Sequence, residues 1–270
     1  MKPSELKRAL KTAVIASHAA GALMRKNLGS KKVINEATQH DIKLELDVRC
    51  QKLIEKTLQQ AFPSIAILGE EGTLGDINAE YRWVVDPIDG TVNFTYGLPH
   101  ACVSIALQKR GETAKERKQS GYPDGYTTIV GVVFDPFTND LWTAIKGQQT
   151  QLNGKKVSVS ERTKLKESIV AMGFAKYEST LAKMLPVFNK LVSRVRKIRI
   201  MGAAALSMTY VSNGRMDAYK EYGVRLWDIA AGGLIVECAG GEFWRQPVDD
   251  QHGYEIVVSN GKLRKQIEAD

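Results

Sequence analysis

The sequence has few of the residues that build disulfide frameworks, zinc sites and membrane spans. Its three cysteines, Cys50, Cys102 and Cys238, are odd in number and far apart, so they indicate neither a disulfide framework nor a metal knuckle. The four histidines show no paired ligand spacing, which argues against a zinc site. No apolar run approaches the roughly 20 residues that a membrane-spanning helix needs. Charges interrupt every apolar stretch near the N-terminus, unlike in a signal peptide. Together these features favour a soluble protein of the reducing cytoplasm.

Several familiar phosphate- and metal-binding motifs are also missing. The chain contains no glycine-rich nucleotide loop of either common type. The acidic turn at Asp86 and Asp89 does not match a calcium loop, because Ile88 stands where an alternate oxygen ligand is needed. It does not match the nucleophile motif of phosphoaspartate phosphatases either, because that motif spaces its two acids more closely.

The charge balance is basic. Lysine and arginine outnumber aspartate and glutamate by 38 to 30, for a formal net charge of +8. This charge allows attraction to phosphate-bearing partners, including nucleic acid. The basic residues are scattered, and the clusters at 109–118 and 194–199 are short, which favours a solvated basic face over a dedicated nucleic-acid surface. In a chain this basic, acidic residues that the fold must bring close together indicate a functional site.

The periodicity of apolar residues predicts a chain of mixed helices and strands. Helices are predicted over 4–29, 47–62, 180–195, 203–212 and 227–238. Strands are predicted over 64–68, 83–85, 101–107, 129–134, 141–145, 169–172, 216–221 and 256–258. The polar, turn-rich segment 111–125 is typical of a mobile loop. We expect one domain over 1–270, in which residues 1–150 bind metal and residues 151–270 complete the site.

The stretch from Trp83 to Phe94 is the centre of the chain's chemistry. A short apolar strand ends in a turn where Asp86 and Asp89 stand beside Gly90 and Thr91. In layered α/β proteins, ligands usually bind at this end of a strand. If a helix begins near Thr91, the amides of Gly90 and Thr91 can receive a phosphate while the two carboxylates hold a cation. The alternative is a simple turn, since proline and glycine favour one here.

Three other acids fall at comparable places. Glu70 follows a predicted strand, Asp228 lies in the first turn of a predicted helix, and Asp47 precedes another helix. Each has a structural alternative: a solvated loop for Glu70, a favourable helix dipole for Asp228 and a helix cap for Asp47. An all-oxygen site built from Glu70, Asp86, Asp89 and Asp228 suits Mg²⁺, with Mn²⁺ as the alternative ion.

Three motifs, in order along nearly the whole chain, resemble the signatures of the inositol monophosphatase family. They are Gly69-Glu70-Glu71, Asp86-Pro87-Ile88-Asp89-Gly90-Thr91-Val92-Asn93-Phe94 and Trp227-Asp228-Ile229-Ala230-Ala231-Gly232. The resemblance implies an α+β fold, a layered αβαβα sandwich of the type shared with fructose-1,6-bisphosphatase. It also implies a lithium-sensitive phosphatase that binds two to three Mg²⁺ ions and forms a homodimer.

The resemblance assigns metal ligands residue by residue. Glu70 and Asp86 would bind one ion, assisted by the carbonyl of Ile88. A second ion would be held by Asp86, Asp89 and Asp228, and Glu70 would also border a third, weaker ion. One cation would lower the pKa of water while the other stabilises the leaving oxygen.

The resemblance also assigns the remaining catalytic and substrate-binding residues. The amides of Gly90 and Thr91 would bind the phosphate, and the Thr91 hydroxyl and Asp47 would orient the attacking water, with Glu70 as the third catalytic residue. The alcohol portion would be lined, together with the second-ion ligand Asp228, by Asp89, Gly202, Ala203, Ala204 and Glu221. The alternative for Glu221 is a solvated strand end.

The chain also departs from the family pattern. Leu46 stands before Asp47 where a threonine is usual, which removes a hydroxyl that could support that carboxylate. No lysine aligns with the one that relatives place upstream near the third metal. The segment 147–150 differs from the usual glycine-rich pattern, and the loop over 111–125 is longer than usual.

We therefore predict a Mg²⁺-dependent phosphomonoesterase, with inositol 1-phosphate or a similar polyol or sugar phosphate as substrate. The alternative substrates are fructose 1,6-bisphosphate, histidinol phosphate and adenosine 3′,5′-bisphosphate. An alternative of another class is an RNA- or protein-partner-binding regulatory role with weak catalysis.

Overall fold

The computed structural model describes residues 1–37, 42–119, 121–174 and 178–268. The helices in these ranges are α1 (Pro3–Asn27), α2 (Glu45–Ala61), α3 (Thr91–Thr95), α4 (Ala114–Gln119), α5 (Glu178–Val192), α6 (Ala204–Ser212), α7 (Leu226–Cys238) and α8 (Arg264–Glu268). A short 3-10 turn covers Leu165–Glu167. The strands are β1 (Ile34–Ala37), β2 (Ile42–Leu44), β3 (Ala66–Gly69), β4 (Gly72–Leu74), β5 (Tyr81–Asp89), β6 (Cys102–Arg110), β7 (Tyr126–Asp135), β8 (Asp140–Ile145), β9 (Gln151–Leu152), β10 (Lys155–Lys156), β11 (Ile169–Met172), β12 (Lys197–Arg199), β13 (Ala218–Arg225), β14 (Glu242–Pro247) and β15 (Gly253–Ser259).

Two sheets carry most of these strands, and β1 pairs with β2 apart from them. The larger sheet has the order β10-β9-β8-β7-β6-β5-β3-β4, and the smaller has the order β12-β11-β13-β15-β14. In the larger sheet β3 and β5 run parallel, whereas β5, β6, β7 and β8 form an antiparallel meander. In the smaller sheet β11 runs parallel to both β12 and β13.

Helices cover the sheets in alternating layers. Helices α1 and α2 pack on the larger sheet, with α1 against β6 and β7 and α2 against β5. Helices α6 and α7 lie between the sheets, since α7 contacts β5 to β8 on one side and β13 to β15 on the other. Helices α5 and α8 pack against the smaller sheet. The order of layers is helix, sheet, helix, sheet, helix, which confirms the predicted αβαβα sandwich.

The middle layer explains the unusual composition of α7. Ile229, Ala230, Ala231 and Gly232 are all buried, and so are the other residues that run on to Val236. A helix that is apolar on all sides has to be buried on all sides, and the two sheets provide this. Small side chains on α7 let the larger sheet approach closely: a Cβ on Gly131 of β7 would lie 2.9 Å from the carbonyl oxygen of Ala231.

The long helices and most core strands agree with the sequence expectations, with ends that differ by a few residues. The prediction of a loop over 111–125 is wrong in part, because residues 114–119 form α4. Its start is capped: the Glu116 amide donates to Thr113 Oγ1 at 3.1 Å, and the Thr113 amide donates to Glu116 Oε2 at 3.3 Å. This is a capping box, a local signal that the loop interpretation overlooked.

Most of the strands that were missed lie at sheet edges and have two to four residues, which carry too little periodicity; the edge strand β14, with six residues, was missed as well. The turn at Asn153-Gly154 joins β9 to β10, with φ of 49° and 77° at its two residues. No helix in the described ranges is long and apolar enough to cross a membrane.

Candidate active site

The site forms where β3 and β5 end side by side. These strands are parallel, with Gly69 opposite Val85, so their carboxyl ends meet at one edge of the sheet. Glu70 follows β3, and its amide donates to the Val85 carbonyl at 3.1 Å. This places Glu70 next to Asp86 on β5. The predicted meeting of acids from two strand ends is therefore present in the fold.

A bulge in β5 brings Asp86 and Asp89 to the same cleft. Residues three apart in a regular strand point to opposite faces of the sheet. Here the register slips, since Asp86 pairs with Ser104 and Asp89 with Cys102, which leaves one extra residue on β5. Pro87 lies in this irregular segment, where the ladder loses no hydrogen bond to it. The extra residue turns the side chains of Asp86 and Asp89 to the same face of the sheet, and both carboxylates line one cavity.

The turn after Asp89 has a backbone that only glycine adopts easily. Gly90 has φ of +91°, and a Cβ there would lie 2.9 Å from the carbonyl oxygen of His100. Helix α3 begins at the next residue, and the Thr91 hydroxyl donates to the carbonyl of Ile88 at 2.8 Å. Because the hydroxyl hydrogen is already donated to Ile88, the hydroxyl oxygen can only accept a further hydrogen bond.

Asp89 also holds the start of α6. The helix has Ala203 at its N-cap, which offers no side-chain oxygen. Asp89 supplies both acceptors from the other half of the chain: the amide of Ala204 donates to Oδ1 at 3.0 Å and that of Ala205 to Oδ2 at 2.8 Å. Burial raises the pKa of Asp89 to about 6, and these two amides counteract part of that rise.

Asp228 lies in the first turn of α7, as predicted, and its structural alternative is also true. The amide of Arg225 donates to Asp228 Oδ2 at 2.7 Å, which caps the helix. Burial, followed by the charge of Asp89, raises the pKa of Asp228 to about 8. The helix dipole favours a carboxylate here, but it does not offset the loss of water around it.

Glu70 and Asp86 complete the acidic cluster. Burial raises the pKa of both well above the usual range, and the next largest cause is Asp228 for Glu70 and Glu70 for Asp86. The carboxyl groups of Glu70 and Asp86 lie within hydrogen-bond reach, as do those of Asp86 and Asp228. Among the described residues, no lysine or arginine forms a salt bridge with any of the four acids.

The cluster has the chemistry of a hard-cation site without a finished coordination sphere. In the part of the chain that the structure describes, no three acidic, histidine or cysteine side chains form a ready-made metal cage. Buried carboxyl groups this close to one another avoid like charge when some of them are protonated. A divalent cation would have to displace those protons and turn the carboxylates toward itself.

Asp47 differs in position from the other predicted acids. It is buried near the start of α2, and the Leu44 amide donates to its Oδ2 at 2.7 Å. This backbone donor supports the carboxylate although Leu46 offers no hydroxyl. Its charge contributes to the raised pKa of Glu70, so the two are close. Asp47 is not, however, among the residues that line the cleft.

The predicted alcohol-binding residues lie in the same cleft. Gly202, Ala203 and Ala204 line it, and Glu221 on β13 faces them from the smaller sheet. Burial raises the pKa of Glu221 to about 7. Glu221 is half-buried, accepts a hydrogen bond and lines the cleft, so it differs from the solvated strand end that the sequence left open.

Two residues that the sequence reasoning missed hold Glu221 in place. The hydroxyl of Tyr219 donates to Glu221 Oε2. The carboxylate also lies against Gly173, in space that a Cβ would fill. Gly173 follows β11, which is parallel to β13, and a glycine at a strand end was the one signal available in the sequence.

Asn93 joins the two walls of the cleft. Its Nδ2 donates to the carbonyl of His100 at 3.0 Å and to that of Met201 at 2.8 Å. The same amide packs against Gly202, where a Cβ would lie 3.2 Å away. The cavity between the walls measures about 680 Å³. The described residues of 111–125 do not line it.

Comparisons with known proteins identify the family of the chain. The model described as the inositol monophosphatase family matches residues 5–115 and 121–264. The chain is 37% identical over 238 residues to Nus factor SuhB of Xylella fastidiosa, covering 87% of this chain and 81% of that protein. It is 35% identical over 265 residues to inositol monophosphatase 1 of Solanum lycopersicum, covering 96% and 90%.

Solved structures show the same architecture. The suhB protein of Bartonella henselae superposes with a TM-score of 0.84 at 28% identity, covering 95% of each chain. An inositol monophosphatase from Anabaena superposes with a TM-score of 0.79 at 29% identity, covering 97% of this chain and 94% of that one.

Proposed function

The chain belongs to the inositol monophosphatase family, and we propose that it is a Mg²⁺-dependent phosphomonoesterase that hydrolyses inositol 1-phosphate or a similar polyol or sugar phosphate. The observation that carries the proposal is the meeting of four acids in one cleft, beside a glycine turn and without a salt-bridged lysine or arginine in the described chain. Such a cluster is unfavourable alone and becomes favourable when cations bind.

The residues present fit Mg²⁺. All side-chain donors are carboxylate oxygens, the hard ligands that Mg²⁺ prefers, and Mn²⁺ is the alternative. We assign Glu70, Asp86 and the Ile88 carbonyl to one ion and Asp86, Asp89 and Asp228 to a second, with Glu70 next to a third, weaker ion. Bound there, the ions would lower the pKa of the attacking water and neutralise charge on the phosphate and leaving oxygen.

The protein's own groups orient the reactants. The backbone amides of Gly90 and Thr91 donate to phosphate oxygens. The Thr91 hydroxyl oxygen accepts a hydrogen bond from the attacking water, because its proton is already donated to Ile88. Glu70 takes the proton from that water as it attacks phosphorus. The bond from phosphorus to the alcohol oxygen breaks, and the departing alcohol oxygen takes a proton from solvent water. Asp47 acts as a positioning residue for this water through Glu70, because it does not line the cleft.

The other wall holds the alcohol. Glu221 accepts hydrogen bonds from ring hydroxyls, and Asp89 lies across the cleft at the acidic end. Gly202, Ala203 and Ala204 carry little or no side chain, so a ring can approach their backbone closely. Tyr219 restrains Glu221 from behind. This wall selects hydroxylated rings over simple alkyl phosphates.

A phosphate-release assay tests the proposal. The purified chain is assayed with inositol 1-phosphate, fructose 1,6-bisphosphate, histidinol phosphate and adenosine 3′,5′-bisphosphate, with Mg²⁺, with Mn²⁺, with EDTA and with lithium added to Mg²⁺. We expect Mg²⁺-dependent release, highest on inositol 1-phosphate, that EDTA abolishes and lithium lowers.

Two variants sharpen the assay. Asp86→Asn should lower kcat at least about a hundredfold, because it removes a carboxylate assigned to both ions. Asp250→Asn removes an exposed acid outside the cleft and should leave kcat unchanged. Release that survives thorough chelation, or that Asp86→Asn leaves intact, would contradict the proposal.

A second candidate function is suggested by relatives named Nus factor SuhB and by the net charge of +8. It is a regulatory role in which the basic surface binds RNA or a protein partner and catalysis is secondary. Salt-dependent RNA retention that Asp86→Asn does not change would support it. Retention that disappears together with Mg²⁺-dependent turnover would assign the binding to the cleft instead.

We also propose a single domain, a cytoplasmic location and a homodimer. The single domain is supported by α7, which packs against both sheets, and the reducing compartment by three free cysteines. The homodimer is implied by the family alone. Light scattering during gel filtration tests it, and a monomer at micromolar concentration would refute it.

A further inference from the structure

Glu70 lies in a two-residue turn that has little packing of its own. Gly69, the last residue of β3, pairs with Gly72, the first residue of β4, so Glu70 and Glu71 form the whole connection between the two strands. Strand β4 is an edge strand of the larger sheet, has three residues and is exposed along its length. A segment with few buried contacts is weakly held. The position of Glu70 therefore depends on what else contacts this turn.

The side chain of Gln51 on α2 binds the turn at two places. Its Oε1 accepts a hydrogen bond from the Glu71 amide at 2.9 Å, and its Nε2 donates to the Gly72 carbonyl at 3.1 Å. Gln51 is 3% exposed, and it is not among the residues that line the cleft. Hydrogen bonds shielded from water in this way are stronger than bonds at the surface. Gln51 therefore holds the turn from behind the acidic cluster.

Glu55 fixes the orientation of the Gln51 carboxamide. It lies one helical turn after Gln51 on α2, and its Oε1 accepts a hydrogen bond from Gln51 Nε2 at 2.9 Å. The amide nitrogen has two hydrogens, and it donates one to Glu55 and the other to Gly72. Because the nitrogen is fixed in this way, the carboxamide oxygen faces the Glu71 amide. An ionised glutamate at position 51 would keep the acceptor but would lose both donors.

The space that Gln51 occupies explains a glycine in β3. The three nearest heavy atoms to a Cβ added at Gly69 would all belong to the Gln51 carboxamide, the farthest of them at 2.7 Å. Gly69 does not have a positive φ, so its backbone alone would accept another residue. The carboxamide is the reason that a side chain does not fit there.

We propose that Gln51 is a positioning residue for Glu70 and thereby sets how tightly the acidic end of the cleft binds a divalent cation. The Glu70 amide donates to the Val85 carbonyl at 3.1 Å, which fixes the backbone on one side of the turn, and Gln51 fixes the other side. A ligand that is already oriented loses little conformational freedom when it binds an ion. This inference rests on the metal site proposed above, but cation binding can be measured without hydrolysis.

Mn²⁺ binding to the metal-free full chain tests the proposal without substrate. The electron paramagnetic resonance signal of free Mn²⁺ gives an apparent Kd for the wild-type chain, for Gln51→Met and for Gln59→Met. Methionine fills a similar space but makes no strong hydrogen bond. Gln59→Met is the matched control, because Gln59 also lies on α2 and its Nε2 donates to the Ile65 carbonyl at 2.9 Å, at the other end of β3 from Glu70. We expect Gln51→Met to raise the apparent Kd about tenfold or more and Gln59→Met to leave it unchanged.

A double-variant cycle separates this contact from a general loss of folding. Gly69→Ala should raise the apparent Kd for Mn²⁺ in the wild-type background, because the new methyl group displaces the carboxamide. In the Gln51→Ala background the same substitution should have little further effect, since the carboxamide is gone. Circular dichroism shows whether each variant is folded at the temperature of the titration. Equal effects of Gly69→Ala in both backgrounds would overturn the proposal.

Turnover provides a second readout. With inositol 1-phosphate, Gln51→Met should raise the Mg²⁺ concentration for half-maximal kcat about tenfold and change KM at saturating Mg²⁺ less than about twofold, because Gln51 does not line the cleft. A change in KM with an unchanged Mg²⁺ requirement would overturn the proposal. If Gln51→Met weakens Mn²⁺ binding but no ester is hydrolysed, the proposed function fails and the role of Gln51 stands.

Three results of the Mn²⁺ titration would also overturn the role of Gln51. The first is a wild-type chain that binds no Mn²⁺, because Glu70 would then have no ion to hold. The second is an apparent Kd that Gln51→Met leaves unchanged. The third is an apparent Kd that Gln59→Met raises as much as Gln51→Met does, because the effect would then come from α2 as a whole.

Discussion

Glu221→Gln should make the metal-free protein more stable than wild type at neutral pH, and this advantage should be smaller in acid. Burial raises the pKa of Glu221 from 4.5 to about 7. Between these two values the folded protein holds a proton that the unfolded chain has released. The folded state thus binds more protons, and stability falls as pH rises through this window. The full contribution is present below pH 4.5 and is lost by about pH 7.

The size of the effect follows from the shift. At about 1.4 kcal/mol per pH unit, the wild-type protein loses roughly 3 kcal/mol of unfolding free energy across the window because of this carboxyl group. Glutamine carries no charge at any of these pH values, so the variant avoids that loss. Its amide oxygen still accepts the hydrogen bond from Tyr219, and it fits the same space against Gly173. The substitution therefore removes the charge with little change in packing.

Urea unfolding followed by circular dichroism at pH 5 and pH 8, with EDTA to remove divalent cations, measures the difference. We expect the advantage of Glu221→Gln over wild type to grow by roughly 2–3 kcal/mol between the two pH values. Glu167→Gln, outside the cleft, serves as the control and should show the same difference from wild type at both. An advantage of Glu221→Gln that does not change with pH would refute the reasoning.

Three further substitutions probe the same cleft. Asp86→Asn should raise the melting temperature in EDTA at pH 7, because burial and neighbouring acids oppose the ionisation of Asp86. The same variant should abolish stabilisation by Mg²⁺. A melting temperature below that of wild type in EDTA would contradict the first expectation. Gly90→Ala should lower the free energy of unfolding by about 1–3 kcal/mol, a larger loss than that of Gly97→Ala. Both glycines have positive φ, but only at Gly90 would the new Cβ lie 2.9 Å from a backbone carbonyl oxygen. Equal losses in urea unfolding would refute the clash. Gly173→Ala should displace Glu221 and raise KM for a polyol phosphate about tenfold with a smaller change in kcat, and an unchanged KM would remove Glu221 from the alcohol site.

The acidic end of the cleft was predictable because its signals are local. Glu70 and the pair Asp86 and Asp89 each follow an apolar strand, and Asp228 follows a helix start. Neighbouring parallel strands bring their carboxyl ends together, so the topology converts these local signals into a cluster. The αβαβα layers followed from the family resemblance, and the all-apolar α7 is consistent with its central place between two sheets.

The opposite wall of the cleft was harder to predict from the sequence, because its residues act through contacts between separate segments. Nothing near Tyr219 or Gly173 in the sequence indicates that both contact Glu221, since one contact crosses from β11 to β13. The support of Asp47 is local by contrast, because the Leu44 amide three residues earlier donates to it, in line with the helix-cap alternative. Asn93 donates to the carbonyl of Met201, a contact of high sequence separation. Patterns within one segment do not report such contacts.

The bulge in β5 shows where a local pattern misleads. Alternation in a regular strand would place Asp86 and Asp89 on opposite faces of the sheet, and the site would then be impossible. The extra residue opposite Val103 of β6 reverses that consequence. Proline between the two acids is the one sequence feature compatible with such an irregularity, because it cannot donate to a ladder. Its presence in an apolar strand indicates that the strand is not regular there.

The acids of the cleft differ in how many backbone amides stabilise their charged form. Asp89 and Asp228 both accept backbone amides at helix starts, two amides for Asp89 and one for Asp228. The pKa of Asp89 rises only to about 6, whereas that of Asp228 rises to about 8. Two helix amides thus favour the charged form of Asp89 more than one amide favours that of Asp228. Carboxyl groups whose pKa values are raised bind a cation only by releasing protons, so metal binding by these acids would be coupled to proton release.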